Sequence, residues 1–135
     1  MKLLINNQIE INGQTENVSE SYECELTVRS GKTYLTFVNP LGDKMLIKFN
    51  ENELTRIQFG ENPLTMRFVK NQLTSFSHEL LGLIMIDTKA YEVSENRLRL
   101  DYQLLQNEVP IGNYQLEISY GMDETGAEVS EKNEN

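Results

Sequence analysis

The sequence predicts an all-β protein, an antiparallel meander of roughly eight to ten strands. Short segments alternate apolar and polar residues along most of the 135-residue chain, and turn-forming residues separate them. No stretch has the apolar spacing of an amphipathic helix. Connections this short pair neighbouring strands antiparallel, and amphipathic strands hide their inner faces by closing. We therefore expect a closed barrel, with a two-sheet sandwich as the alternative.

The first third of the chain begins with a strand around residues 2–11. Residues 12–21 are the longest polar stretch in the body of the chain, and we expect a loop there. The segment 22–29 alternates without interruption and is predicted as a strand. Gly31 then allows the positive φ of a hairpin turn, so residues 33–39 return as the next strand.

Three further alternating segments follow, and turn-rich connections join them. The sequence NPLGD leads into the segment 44–50, and GENP separates the segments 54–59 and 64–69. In the last of these, Met66 lies on an apolar face and Arg67 on the polar face. Each segment is predicted as an amphipathic strand.

The stretch FSHELLGLIMIDT at residues 76–88 contains the only histidine, His78, and the longest apolar run. In a helix, Gly82 would cost about 1 kcal/mol relative to alanine, and the apolar residues would surround the axis. We predict instead a strand that turns a barrel corner at Gly82. Its residues 83–86, from Leu83 to Ile86, are apolar on both faces. Another segment or a second subunit must cover the outer face.

The last two strands alternate most regularly, at residues 97–106 and 114–120. Beyond them, the acidic residues 122–135 lack the apolar content to fold alone. We predict a single domain over residues 1–121 and a disordered acidic tail over residues 122–135.

Charge and composition exclude several classes of partner. The chain has 12 Lys and Arg against 21 Asp and Glu, a net charge of −9 and an isoelectric point near 4.6. Nucleic acids and anionic membranes are bound through clustered basic residues, so we expect neither. No apolar run approaches the ~20 residues of a membrane helix, and Asn6 interrupts the N-terminal run too early for a secretory signal. With one cysteine, the chain is predicted to be soluble and cytoplasmic.

Several motifs in a fixed order carry a family resemblance. They are Gly60 after a strand, MRFV at 66–69, Gly82 before an alternating strand, RLRLDYQL at 97–104 and YQLEISYG at 114–121. On these motifs, over about residues 27–121, the chain resembles the YwiB-like family of uncharacterised small bacterial proteins. The resemblance implies a calycin-like barrel, related in shape to lipocalins, and no established activity.

The chain departs from the family pattern in two places. Gln58 stands where the pattern has an arginine, and the segment between MRFV and Gly82 is one residue shorter. The structural tryptophan of the wider lipocalin signature does not apply, because the chain contains no Trp.

Catalytic motifs are lacking in the sequence. His78 is the obvious candidate acid, base or ligand-binding residue, but exposure or hydrogen bonding across a strand accounts for it equally well. Cys24 shares one face of its predicted strand with Tyr22, Leu26 and Val28, which indicates a small core residue, and no nucleophile turn surrounds it. One histidine and one distant cysteine make no metal site, and no phosphate loop or dinucleotide fingerprint occurs. We expect a protein that is not an enzyme and holds no cofactor or metal.

Arg67 is the strongest candidate for ligand binding. If its polar face points into the barrel, Arg67 with Arg56 or Gln58 would hold a carboxylate or phosphate in a mostly apolar cavity. The alternative is a surface arginine paired with an acidic residue of a neighbouring strand.

Two functions follow from these alternatives. The first is a small-molecule binding barrel for an apolar or amphipathic ligand with an anionic group. The second is a non-enzymatic scaffold or interaction protein with a solid core, which self-associates as a homodimer or binds a protein partner through the strand at residues 83–86.

Overall fold

The structure is a computed structural model that describes residues 1–121. Eleven β-strands and no helix occur in this part of the chain. The strands are β1 (Lys2–Ile11), β2 (Gln14–Glu23), β3 (Glu25–Arg29), β4 (Lys32–Val38), β5 (Lys44–Phe49), β6 (Glu53–Gln58), β7 (Leu64–Val69), β8 (Leu73–His78), β9 (Gly82–Ser94), β10 (Arg97–Gln106) and β11 (Val109–Gly121). The prediction of an all-β antiparallel protein is confirmed. The predicted tail, residues 122–135, lies outside the described residues.

The strands form two antiparallel sheets, with the orders β2-β1-β11-β10-β9-β8 and β3-β4-β5-β6-β7. The chain crosses from the first sheet to the second at Cys24, between β2 and β3. On the other side, β7 and β8 are in contact, and the Thr74 hydroxyl donates to the Arg67 carbonyl. Within residues 1–121, however, no ladder of hydrogen bonds joins β7 to β8. The closed barrel predicted from the sequence is therefore corrected to two sheets that face each other.

The loop predicted at residues 12–21 is wrong. Asn12 and Gly13, with φ of 55° and 78°, form a two-residue turn, and β2 returns along β1 over its full length. Positive φ at both central residues is the property for which Asn-Gly is favoured in hairpins. The polar composition of β2 misled the prediction because β2 is an edge strand, whose outer face meets solvent.

The stretch 76–88 divides into two strands instead of one. β8 ends at His78, whose Nδ1 accepts hydrogen bonds of 3.1 Å from the amides of Leu80 and Leu81. Gly82, with φ of 79°, completes this turn and pairs with His78. The strand prediction is confirmed from Gly82 onward, but the chain makes a hairpin turn there. The irregularity in β9 lies at Lys89, where the register with β10 shifts.

The core excludes solvent most completely around Tyr91, where both sheets contribute large apolar side chains. We call this the sealed region. Tyr91 is 2% exposed, and its hydroxyl contacts the carbonyl oxygens of Asn50 and Glu53 at 2.8 and 2.9 Å. These contacts attach β9 to the turn between β5 and β6. Other residues of this sealed region are at most 3% exposed: Leu3, Phe49, Leu54, Leu98, Leu100 and Ile118.

Candidate functional site

Arg56 points from the middle of β6 into the space between the sheets. Residues directly opposite each other on neighbouring strands point to the same side of a sheet. Arg56 lies opposite Ile47, which is 1% exposed, and opposite Met66, which packs on the core. The guanidinium group is therefore on the apolar, inner face of its sheet, and the residue is half-buried. Gln58, two residues on, faces the same side.

Two residues of β2 face this arginine from the other sheet. Tyr22 lies opposite Leu3 and Glu20 lies opposite Ile5, and both of these β1 residues are buried. Tyr22 and Glu20 therefore point inward as well, although each remains half-buried. The Tyr22 ring packs on Phe37 with 4.6 Å between ring centroids. A carboxylate thus lies beside a phenol on the inner face of the first sheet.

A second phenol enters from β10. Tyr102 is 7% exposed and stacks on Tyr114, with centroids 4.8 Å apart and planes 4° from parallel. Phe68 packs on its ring at 4.7 Å. Asn7 lies on the same inner face, and its buried Oδ1 has no hydrogen-bond partner within residues 1–121. We call Arg56, Glu20, Tyr22, Tyr102 and Asn7 the inner cluster.

The electrostatics of the two phenols show that Arg56 reaches both. Burial raises the pKa of Tyr102 to about 12, with Tyr114 adding to the increase, while Arg56 and Asn7 lower it. Burial also raises the pKa of Tyr22, Glu20 raises it further, and Arg56 lowers it. Both hydroxyls therefore stay protonated near neutral pH and can donate hydrogen bonds beside a positive charge.

The two arginines on β6 and β7 differ in their partners. Arg67 lies on the outer face, 56% exposed, and its Nε donates to Glu53 at 2.9 Å. Within residues 1–121, Arg56 makes neither an ion pair nor a side-chain hydrogen bond. Removing a charge from water without a partner is costly, so an inward, unpaired arginine requires an explanation other than stability.

An open cleft of about 460 Å³ lies between the β6–β7 connection and the β8–β9 turn, where β7 begins and β8 ends. One side of the cleft is lined by Gln58, which faces the inner side of its sheet, and by Leu64 opposite it. His78 lies on the other side. We call this the β7–β8 cleft. Its lining is Gln58, Glu61, Asn62, Pro63, Leu64, Ser77, His78, Glu79 and Leu80.

Of the four predicted ligand-binding residues, the structure groups three. Arg56 and Gln58 share the inner face, and Gln58 and His78 line the same cleft. Arg67 lies on the opposite face of the sheet and makes an ion pair with Glu53 there. This surface pair is the alternative to ligand binding that the sequence also predicted for Arg67. Whether the grouped residues bind a ligand stays a prediction.

The sequence did not predict Glu20, Tyr22, Tyr102 and Asn7 as members of a site. A signal for the first two was present in the Asn12-Gly13 turn. A two-residue turn fixes the register of its hairpin and places Tyr22 opposite Leu3 and Glu20 opposite Ile5. No comparable local signal exists for Tyr102, because its neighbours in space come from both sheets.

Other chemistry is sparse in the described residues. Cys24 is free and buried, and burial raises the pKa of its thiol, as suits a core position. No group of three or more His, Cys, Asp or Glu side chains placed for a metal ion occurs among residues 1–121. The same residues include no helix long and apolar enough to cross a membrane.

The family of the chain follows from its match to a family model. Residues 3–118, nearly all of the described chain, match the model of a domain of unknown function, DUF1934. The chain belongs to the DUF1934 family. No curated protein matches it.

The DUF1934 chain is also similar to a solved structure, that of the ywiB protein from Bacillus subtilis. The TM-score is 0.69 at 21% identity, and the match covers 90% of this chain and 91% of the other. At this identity the likeness concerns the fold alone. The predicted YwiB-like family is confirmed, and neither match assigns an activity to the DUF1934 chain.

Proposed function

We propose that this protein binds a small amphipathic molecule between its two sheets and holds the anionic group of that molecule with Arg56. The observation that carries the proposal is the placement of Arg56, inward and half-buried, with no ion pair within residues 1–121. Tyr22 and Tyr102 lie near it as protonated donors. A planar guanidinium with adjacent hydroxyls is well suited to a carboxylate or phosphate.

Incomplete burial of the inner faces supports a ligand with an apolar body. Several apolar residues that point inward remain half-buried, which leaves apolar surface next to the charged group. They are Ile9, Val18, Met66, Phe76, Leu104 and Tyr114. An apolar wall with a few converging polar groups is the usual composition of a small-molecule site. The β7–β8 cleft, at Gln58 and His78, gives such a ligand a way in.

The proposal is for a binding protein and not for an enzyme. His78 is bound to the turn amides through Nδ1 and offers no adjacent nucleophile. The free, buried Cys24 fits the cytoplasmic location predicted from the sequence.

The decisive variant is Arg56→Gln. Binding of octanoate to the full chain should weaken at least tenfold, because a charge-assisted hydrogen bond contributes roughly 1.5 to 3 kcal/mol. Isothermal titration calorimetry measures the change. Arg67→Gln is the matched control, because it removes the same charge from the outer face and should leave the affinity unchanged. Equal affinities for Arg56→Gln and the native chain would refute the proposal.

A second function is favoured by the outer face of β8 and β9. Leu73 and Leu83 are each 60% exposed there, and Met85, opposite Ser75, adds to the same surface. We propose self-association through this strand pair as the alternative to ligand binding. Analytical ultracentrifugation of the native chain and of Leu83→Ser tests it: a dimer that dissociates in the variant is expected. A native chain that is monomeric at high concentration contradicts it.

A further inference from the structure

The inner cluster contains a second charge that a plain anion site would not need. Glu20 is half-buried and points inward from β2, opposite the buried Ile5. Like Arg56, it makes no ion pair within residues 1–121. The charged atoms of Glu20 and Arg56 are therefore more than 4.0 Å apart. Tyr22, whose ring packs on Phe37 of the second sheet at 4.6 Å, feels both charges: Glu20 raises the pKa of its hydroxyl and Arg56 lowers it.

An inward carboxylate opposes the binding of a simple anion. Like charges in a partly desolvated site repel one another, and such repulsion selects against the wrong ligand. A site for an anion alone would be improved by a neutral residue in place of Glu20. The carboxylate becomes favourable only when the ligand itself carries a positive charge near its negative one.

The aromatic residues around Glu20 suit such a positive charge. Tyr22 and Phe37 are in contact at 4.6 Å, and the face of an aromatic ring attracts an ammonium group. Glu20 and Arg56 belong to different sheets, so a molecule that reaches both would lie across the interior. Its body would then meet the apolar inner faces.

We propose that the site accepts a zwitterionic amphiphile: a molecule with an ammonium and a carboxylate group on an apolar or aromatic body. Arg56 holds the carboxylate, and Glu20 holds the ammonium. This inference rests on the proposed function, because it assigns the ligand of the same site. It makes Glu20 the residue that determines specificity.

Three matched probes test the inference on the full chain: L-phenylalanine, 3-phenylpropanoate, which lacks the ammonium, and 2-phenylethylamine, which lacks the carboxylate. Titration calorimetry should show L-phenylalanine binding at least tenfold more tightly than either of the others, since each lacks one charge-assisted contact. In Glu20→Gln, the affinity for L-phenylalanine should fall about tenfold, while that for 3-phenylpropanoate rises. The order of these two probes then reverses.

The control variant is Glu25→Gln, which removes an exposed carboxylate of β3 and should leave the order of the probes unchanged. Arg56→Gln should lose 3-phenylpropanoate altogether. If Glu20→Gln keeps the native ratio of affinities while Arg56→Gln loses both carboxylates, the zwitterion inference is overturned and the anion site stands. If none of the three probes binds the native chain at millimolar concentration, both proposals fall.

Discussion

The interior of this protein has two regions that the same strands build in different ways. Around Tyr91, the side chains from both sheets are at most a few per cent exposed, and the one polar group, the tyrosine hydroxyl, contacts two carbonyl oxygens. Around Arg56, by contrast, several inward residues remain half-buried, among them Glu20 and Tyr22, and the charges of Arg56 and Glu20 make no ion pair within residues 1–121. The first region is closely packed and its tyrosine hydroxyl is hydrogen-bonded, whereas the second leaves two charged side chains half-buried. A stable scaffold thus carries a region that packing alone does not explain.

Replacing Tyr91 with alanine should have the largest effect, because it empties part of the sealed region and removes the contacts to the β5–β6 turn. The free energy of unfolding should fall by about 3 to 5 kcal/mol, as measured by urea denaturation. Tyr91→Phe, which keeps the ring, should lose only about 1 to 2 kcal/mol. A Tyr91→Ala protein as stable as the native one would show that this region is not close-packed.

Alkaline pH should test the burial of Tyr102 in the inner cluster. Its pKa rises from 10.0 to about 12 on folding, so the neutral phenol stabilises the native state. Because the folded pKa is the higher one, this contribution is complete below pH 10 and is lost as the pH rises toward 12. It amounts to roughly 2 to 3 kcal/mol.

The free energy of unfolding, measured against pH for the native chain and for Tyr102→Phe, isolates this contribution. The native chain should lose more stability than the variant between pH 10 and 12. Parallel curves would mean that Tyr102 titrates as an ordinary exposed phenol.

Arg56→Met should change stability little and in the favourable direction. It replaces a half-buried, unpaired charge with an apolar side chain of similar length, so the free energy of unfolding should stay equal or rise by up to about 2 kcal/mol. Thermal denaturation of the full chain measures this. A loss of more than about 2 kcal/mol would assign Arg56 a structural role and weaken the contrast between the regions.

Arg67→Ala should have the smallest effect, below about 1 kcal/mol, because the Arg67–Glu53 pair lies on an exposed face and is screened by salt. Urea denaturation at low and high ionic strength checks it, and the difference between native chain and variant should shrink as salt is added. An effect above about 2 kcal/mol at both ionic strengths would contradict the description of this pair as a surface contact.

Local patterns in the sequence were sufficient for most of the strands and for the family. Alternation along residues 97–106 predicted β10, and Gly31 predicted the turn between β3 and β4. Alternation failed for β2, because an edge strand with a solvated outer face needs few apolar residues. It also failed to separate β8 from β9, where a histidine closes a turn of three residues with its own side chain.

The prediction of the candidate site was only partly right, because the pattern within one strand does not show how that strand pairs with its neighbour. Arg56 and Gln58 were chosen together with Arg67, but Arg67 lies opposite Thr55, whose side chain points to the outer face, between the inward Leu54 and Arg56. The register places Met66, and not Arg67, opposite Arg56. That register depends on the length of the β6–β7 connection, which a pattern within one strand does not reveal.

The sequence by itself determined the class, the antiparallel order and the approximate place of most strands, because those follow from period-two alternation and turn chemistry over a few residues. Only the tertiary structure decided that the strands divide into two sheets at Cys24 and between β7 and β8. Only the tertiary structure brought Glu20, Tyr22, Arg56 and Tyr102 together. These residues are far apart in the chain, so their proximity depends on pairing and packing across sheets, which no local pattern encodes.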